Sequence, residues 1–119
     1  MMANKDVYTR IIDKYLRITM PLKLVEDIKG GYLMLGDDIT LRIINKNQLQ
    51  ELGENIKQES DENKKMALSF ILNNIIPLSM DKRNRFKLPL IYKEYIGANK
   101  AIDILRTDGD IKILANKDS

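Results

Sequence analysis

Two segments of the chain alternate apolar and polar residues over four positions, and each predicts a short strand with one buried face. In the first segment, Ile18 and Met20 alternate with polar neighbours, and in the second segment Phe86 and Leu88 do the same. A repeat of two is the pattern expected when successive side chains point to opposite faces of a sheet. We therefore expect these apolar side chains to face the core.

A short helix and then a hairpin are predicted after each of these strands. Pro21 and Pro89 follow the strands and fit the first position of a helix, where a missing N–H is no loss. We expect the helices to end at glycines, which are Gly30-Gly31 and Gly97. The hairpins predicted next pair residues 32–35 with 39–44 and residues 101–105 with 111–114.

The same order of elements occurs twice because the sequence repeats after 68 positions. Residues 13–28 and 81–96 are identical at seven of sixteen positions, with the shared pattern D-K-x-x-R-Φ-[TK]-Φ-P-L, where Φ is apolar. A β-like run precedes each copy. The sequence therefore predicts a β-rich α+β fold from two internal repeats, at about 7–45 and about 75–116.

The linker between the repeats, residues 46–74, is predicted to be helical. Leu49, Leu52 and Ile56 form one apolar stripe, and Ser60 is the expected N-cap of a second helix. The expected buried face of that second helix consists of Met66, Ala67, Phe70 and Ile71. Helices this short are marginal alone, so we expect them to pack on the β-rich part or on a neighbouring subunit.

The composition is that of a globular protein and excludes most catalytic machinery. Of 119 residues, 44% are hydrophobic and 31% charged, which favours a single domain over residues 1–119. Two separate small domains are the alternative, although about 40 residues rarely bury enough core alone. Without cysteine or histidine, the chain lacks thiol nucleophiles, cysteine–zinc sites and the Ser-His-Asp triad. We expect neither enzymatic activity nor a metal or cofactor.

Charge and targeting signals bear on where the chain acts. No apolar run is long enough to cross a membrane, and Met1 to Arg10 lack the apolar centre of a signal peptide, so a cytoplasmic location is expected. The net charge is only +3. Residues 77–119 nevertheless carry nine basic and six acidic groups, so the C-terminal third holds the whole excess.

Two copies of D-K-x-x-R-Φ-x-Φ-P, each between a β-like run and a hairpin, resemble the MraZ family. This family belongs to the AbrB/SpoVT-like superfamily of bacterial DNA-binding proteins. The resemblance extends from about Tyr8 to Asn116 and is strongest over residues 80–89. The glycine that the family has before the arginine is replaced here by Leu16 in the first copy and by Asn84 in the second.

The resemblance implies a double swapped-hairpin barrel and a sequence-specific transcriptional regulator associated with the nucleoid. Such a regulator would form a homo-oligomer, either a dimer or a ring, and would bind repeated boxes in double-stranded DNA through its D-x-x-x-R loops. Together with the neighbouring cations, the candidate DNA-binding residues are Asp13, Lys14, Arg17, Asp81, Lys82, Arg83, Arg85 and Lys87.

Other interpretations of these residues stay open at this point. Each arginine could simply pair with its aspartate and brace a tight turn, and this role is compatible with a DNA contact. The cations could lie on a solvated loop. Asp13 and Asp81 could act as an acid–base pair only if the fold brought them together. An antitoxin-like or other protein-interaction module with the same barrel is the alternative function.

Overall fold

The protein has an α+β fold in a computed structural model that describes residues 5–117. Residues 1–4 and 118–119 lie outside this range. The prediction that Met1 to Arg10 are not a signal peptide therefore falls partly outside the described residues. In chain order the elements are β1 (Lys5–Ile11), β2 (Arg17–Thr19), α1 (Leu22–Ile28), β3 (Tyr32–Leu35), β4 (Leu41–Ile44), α2 (Lys46–Gln58), α3 (Glu62–Asn73), β5 (Ile76–Pro77), β6 (Arg85–Lys87), α4 (Leu90–Ile96), β7 (Ala101–Thr107) and β8 (Asp110–Ala115).

Six strands form an antiparallel sheet in the order β1-β7-β8-β4-β3-β5. The strands β1 and β5 lie at its two edges, so the sheet is open and the predicted closed barrel is not confirmed. The remaining strands, β2 and β6, pair with each other in a separate two-stranded unit, which we call the β2–β6 ribbon. Both short strands predicted from the alternating pattern therefore form, and they form next to each other.

The sheet is built by pairing between the two halves of the chain. Strand β1 of the first half pairs with β7 of the second half, and β5 of the second half pairs with β3 of the first. At the centre, β4 pairs with β8, where Leu41 lies opposite Ile113. The strand order reads the same from either edge when the elements of the two halves are exchanged. Neither half completes the sheet from its own strands.

The hydrophobic core lies between the sheet, the ribbon and the two short helices. Ile18 and Phe86 contribute from the ribbon. Leu24 and Ile28 of α1 contribute from one short helix. The other core side chains include Leu33, Leu41, Leu88, Tyr92, Ile96, Ile102, Ile104, Ile111 and Ile113. Among residues 5–117, no helix is both long enough and apolar enough to cross a membrane.

The two prolines lie one residue earlier relative to their helices than the sequence predicts. Pro21 and Pro89 are N-caps, and the helices begin at Leu22 and Leu90. Both prolines have extended ψ angles of 135° and 141°, so they end the preceding strand segment instead of opening the helix. The Pro21 carbonyl still accepts a hydrogen bond from the N–H group of a first-turn residue. The glycine prediction is confirmed at Gly97, which adopts the left-handed conformation just after α4.

The predicted buried face of α3 is wrong. Met66 is 69% exposed and Phe70 is 62% exposed, and neither α2 nor α3 contains a buried residue. The helices pack mainly on each other, and the main contact of α3 with the sheet is at β3. An apolar stripe predicts burial only where another surface covers it, and no element among the described residues covers this one.

The N-cap of α3 also differs from the prediction by one residue. Asp61 caps the helix, because its carboxylate accepts hydrogen bonds from the N–H groups of Asn63 and Lys64. Ser60 lies one position outside the helix. Both residue types are good caps, so the local sequence alone did not distinguish them.

Candidate functional site

The loop before β2 is closed by a single aspartate. Asp13 Oδ1 accepts hydrogen bonds from the N–H groups of Tyr15 and Arg17 at 2.9 and 2.8 Å. Its other oxygen, Oδ2, accepts a hydrogen bond from Arg17 Nε at 2.8 Å. The carboxylate therefore holds both the backbone of the loop and the guanidinium of the arginine that ends it.

The loop before β6 has the same set of hydrogen bonds. Asp81 Oδ1 accepts from the N–H groups of Arg83 and Arg85 at 2.9 and 3.0 Å, and Oδ2 accepts from Arg85 Nε at 2.8 Å. These two loops, residues 13–17 and 81–85, are referred to below as the first and second Asp–Arg loops. The predicted role of each pair as a turn brace is what this geometry shows.

A left-handed residue precedes the arginine in both Asp–Arg loops. Leu16 has a φ of 64° and Asn84 has a φ of 59°. These are the positions where the resembled family has glycine, the residue that adopts this conformation without steric cost. Asparagine tolerates it, whereas leucine is disfavoured by about 1–2 kcal/mol. The Leu16 side chain packs against the hydrophobic core, which offsets this strain.

Reciprocal backbone bonds join the two Asp–Arg loops to opposite ends of the β2–β6 ribbon. The N–H group of Met20 donates to the carbonyl of Asn84 at 2.8 Å, and the N–H group of Leu88 donates to the carbonyl of Leu16 at 2.7 Å. Each bond therefore runs from the end of one strand to the loop of the other half. Two loops 68 residues apart in sequence therefore flank the same ribbon and contribute side chains to one surface.

The outer face of the β2–β6 ribbon is polar and mostly cationic. Arg17 lies opposite Lys87, and Thr19 lies opposite Arg85, while Ile18 and Phe86 between them point into the core. A groove of about 540 Å³ beside the ribbon is lined by Tyr15, Arg17, Ser79, Met80, Asp81, Arg85 and Lys87. The groove thus includes residues from both Asp–Arg loops.

Both aspartates are held in the ionised form. At Asp13, desolvation raises the pKa, but the Arg17 N–H and guanidinium and the Tyr15 N–H outweigh it, so the pKa falls below the usual 3.8. At Asp81, the N–H group of Arg85 is the largest influence and lowers the pKa, against a smaller rise from desolvation. These donors bond to the charged form and favour it. Asp13 and Asp81 each serve their own arginine, and nothing in this arrangement couples them as an acid–base pair.

The arginines keep their outer nitrogens available. Only Nε of Arg17 and of Arg85 is bonded to the aspartate, and within residues 5–117 the Nη atoms of both have no hydrogen-bond partner. Their side chains are 32% and 23% exposed. Each guanidinium is therefore fixed at one edge and open at the edge that could bind an acceptor in a bidentate manner.

The structure places all eight residues predicted as the site on the two Asp–Arg loops and the β2–β6 ribbon, and four of them, Arg17, Asp81, Arg85 and Lys87, line one groove. The arginines and aspartates form the two brace pairs, and the exposed cations around them are Lys14, Lys82, Arg83 and Lys87. Tyr15 was missed: its ring lies 4.8 Å from Arg17 Cζ and 5.1 Å from Lys14 Nζ, and it is 56% exposed. Aromatic residues among cations are typical of surfaces that bind single-stranded nucleic acids, so this combination could have singled out Tyr15.

The positive charge is unequal between the two strands of the ribbon and their loops. Residues 13–19 carry one excess positive charge, and residues 81–87 carry three. Elsewhere in the described range, no group of three acidic side chains is placed to hold a metal ion. Recognition of an anionic partner is the chemistry that this surface supports.

Comparisons of the sequence with protein families and with curated proteins found no match. The geometry of the Asp–Arg loops and of the β2–β6 ribbon is therefore the basis on which a function is inferred.

Proposed function

We propose that this protein is a DNA-binding transcriptional regulator of the MraZ/AbrB-like type, with a binding and not a catalytic function. Its DNA-binding surface is the β2–β6 ribbon with the two Asp–Arg loops. One observation carries the proposal: the guanidiniums of Arg17 and Arg85 line one groove, each is anchored through Nε, and their Nη atoms have no hydrogen-bond partner within residues 5–117. The partner is double-stranded DNA.

The dimensions and donors of this surface suit the major groove. That groove is about 12 Å wide and admits a two-stranded β-ribbon, and arginine donates in a bidentate manner to guanine O6 and N7. Lys87 is exposed in the groove with the arginines, and Lys82 is exposed on the second Asp–Arg loop, where both would contact phosphates. Specific and non-specific contacts would then come from adjacent side chains on one face.

The aspartates act as positioning residues in this proposal. A carboxylate near DNA would repel phosphates, but Asp13 and Asp81 are each neutralised by the arginine that they hold. A fixed guanidinium loses less side-chain entropy on binding than a mobile one. The brace and the DNA contact are therefore two parts of one function.

We further propose that the fold is a duplicated unit forming one double swapped-hairpin barrel. Three observations support this: the hydrogen bonds of the two Asp–Arg loops match, the bonds of Met20 and Leu88 are reciprocal, and the strand order is the same from either edge. The ribbon would cover one side of the open sheet and complete the barrel. The whole chain would then be a single domain.

A homo-oligomer, either a dimer or a ring, would present several copies of this surface to repeated DNA boxes in the nucleoid of the cytoplasm. The exposed Met66 and Phe70 on α3 favour a protein contact at the helices. The same observation supports the alternative function, a protein-interaction module of antitoxin-like type. Light scattering at tens of micromolar tests assembly, and a 13.8 kDa monomer would contradict the oligomer.

Binding measurements on alanine variants test the DNA proposal. Arg85→Ala should weaken binding to duplex DNA from upstream of the protein's own gene by about 1–3 kcal/mol per contact. Arg17→Ala should weaken it less, because fewer cations surround the first Asp–Arg loop. Fluorescence anisotropy measures both, with Lys64→Ala on the exposed surface of α3 as a matched loss of one charge.

Salt dependence and melting separate a DNA contact from a brace. Lys82→Ala and Lys87→Ala should weaken binding to all sequences alike and reduce the salt slope by about one counterion each. If Arg17→Ala and Arg85→Ala melt early while their folded fraction binds DNA like the wild type, the arginines are turn braces only. Failure of the wild type to bind any duplex would refute the function itself.

A further inference from the structure

We propose that the two Asp–Arg loops read different bases, so that the protein recognises an asymmetric DNA site and binds it in one orientation. Tyr15 and Arg83 are the residues that set this orientation. The inference rests on the proposed function, because it concerns the same surface. It adds a specificity that two equivalent loops would not have.

Tyr15 and Arg83 occupy equivalent positions in the two Asp–Arg loops. Each lies two residues after the aspartate, and the N–H group of each donates to Oδ1 of that aspartate at 2.9 Å. Each is followed by a left-handed residue and then by the braced arginine. The backbone therefore presents the two side chains in matching places around the local twofold relation of the ribbon.

The two side chains offer different chemistry from these matching places. The Tyr15 ring lies against Arg17 and Lys14, and the residue as a whole is 56% exposed. Arg83 is exposed, and its guanidinium has no hydrogen-bond or ion-pair partner within residues 5–117. One loop thus presents an aromatic ring positioned by its neighbours, and the other presents an additional set of donors.

Base edges in the major groove distinguish these two surfaces. An apolar face packs against the 5-methyl group of thymine, whereas arginine donates to O6 and N7 of guanine. We therefore assign thymine to the half-site under the first Asp–Arg loop and guanine to the half-site under the second. Arg17 and Arg85 are common to both loops and would read the same base in each half.

A second difference on the ribbon acts in the same direction. Thr19 and Lys87 are also equivalent positions, and both are exposed on the outer face. Lys87 brings a positive charge to the phosphates that Thr19 lacks, so the half-site under the second loop is also held more strongly. The base contacts of Tyr15 and Arg83 and the attraction of Lys87 to phosphates then favour the same orientation of the protein on the duplex.

Exchange of the two residues tests the inference. Selection from random duplexes should give an asymmetric consensus with the wild type. Tyr15→Arg should give a palindromic consensus with guanine in both halves, and Arg83→Tyr a palindrome with thymine in both. The double variant Tyr15→Arg with Arg83→Tyr should restore an asymmetric consensus, because it reverses the protein on the DNA.

Affinity measurements complete the test. Replacing guanine in the half-site of the second Asp–Arg loop should weaken wild-type binding roughly 5- to 150-fold and should leave Arg83→Tyr almost unaffected. Both side chains are exposed, so melting temperatures should stay near the wild-type value, and Lys64→Tyr on α3 should leave the consensus unchanged.

The possible failures are distinguishable. A palindromic wild-type consensus, or single variants that select the wild-type site, would overturn the directional reading and leave DNA binding intact. Absence of wild-type binding to every duplex would overturn the proposed function and this inference with it.

Discussion

The β-rich body, formed by the eight strands with α1 and α4, and the α2–α3 hairpin are stabilised in different ways. Every buried apolar side chain among residues 5–117 lies in the body. The hairpin has instead a capping box, in which Asn45 accepts from the Gln48 N–H at 2.8 Å and donates its own N–H to the Gln48 side chain. The helices of the hairpin therefore combine local capping with half-buried contacts to each other, without a buried core of their own.

The largest expected effect comes from removing equal side chains from the two regions. Phe86 is 2% exposed in the body and Phe70 is 62% exposed on α3. Phe86→Ala should lower the free energy of unfolding by about 3–5 kcal/mol, whereas Phe70→Ala should change it by less than about 0.5 kcal/mol at protein concentrations where the chain is monomeric. Urea denaturation followed by circular dichroism measures both.

A milder variant at Phe86 and the concentration dependence of Phe70→Ala serve as controls. If Phe86→Ala does not fold, the milder Phe86→Leu should still show a loss, of about 1 kcal/mol. A loss at Phe70 that grows with protein concentration would place this side chain in a subunit contact. A loss of several kcal/mol that is independent of concentration would show that the hairpin is part of the body's core.

Substitutions at two glycines, one in each region, should change stability by smaller amounts. Gly97 ends α4 with a φ of +71°, and Gly53 lies inside α2; a Cβ on either would meet nothing within 4 Å. Gly97→Ala should destabilise the body by about 1–2 kcal/mol, because alanine is strained in the left-handed region. Gly53→Ala should stabilise α2 by about 0.5–1 kcal/mol through helix propensity. Thermal denaturation reports the first change, and hydrogen exchange of the α2 amides reports the second.

The smallest expected effect is on acid stability, and it should arise at the Asp–Arg loops of the body. The pKa values of Asp13 and Asp81 are lowered on folding, so their stabilisation is present above the unfolded value of 3.8 and is lost as the pH falls through the folded values. Asp81→Asn should melt below the wild type at pH 7. The two melting temperatures should converge as the pH falls well below 3.8. Glu51→Gln on α2 is the control. If the melting temperature of Asp81→Asn lies below that of the wild type by the same amount at every pH, the carboxylate charge of Asp81 is not the source of the stabilisation.

Much of the body could be predicted from sequence because its signals are local. The alternation around Ile18 and Phe86 identified both ribbon strands, and the 68-residue offset placed the two Asp–Arg loops in register. The Asp-to-Arg spacing also predicted the braces, since an aspartate four residues before an arginine can bond both its backbone and its guanidinium. These features depend on a few neighbouring residues.

Other features depend on surfaces that no local pattern specifies. Met66 and Phe70 are exposed because no other element within residues 5–117 packs on that face of α3. The amphipathic pattern of a helix does not show whether a partner surface is present. The left-handed Leu16 contradicts its own conformational preference and is held by packing and by the loop hydrogen bonds. The equivalence of Tyr15 and Arg83 depends on the matching backbone conformations of the two loops, which the sequence does not specify.

The exchange of strands between the halves gives the α2–α3 hairpin a role as a tether. Strand β1 must meet β7 and β5 must meet β3, so a cut between Glu59 and Ser60 would turn folding into a reaction of two molecules. A short covalent connection holds such partners at an effective concentration of roughly millimolar. The hairpin thus lowers the entropy cost of assembling the sheet, although no side chain of α2 or α3 is buried in it.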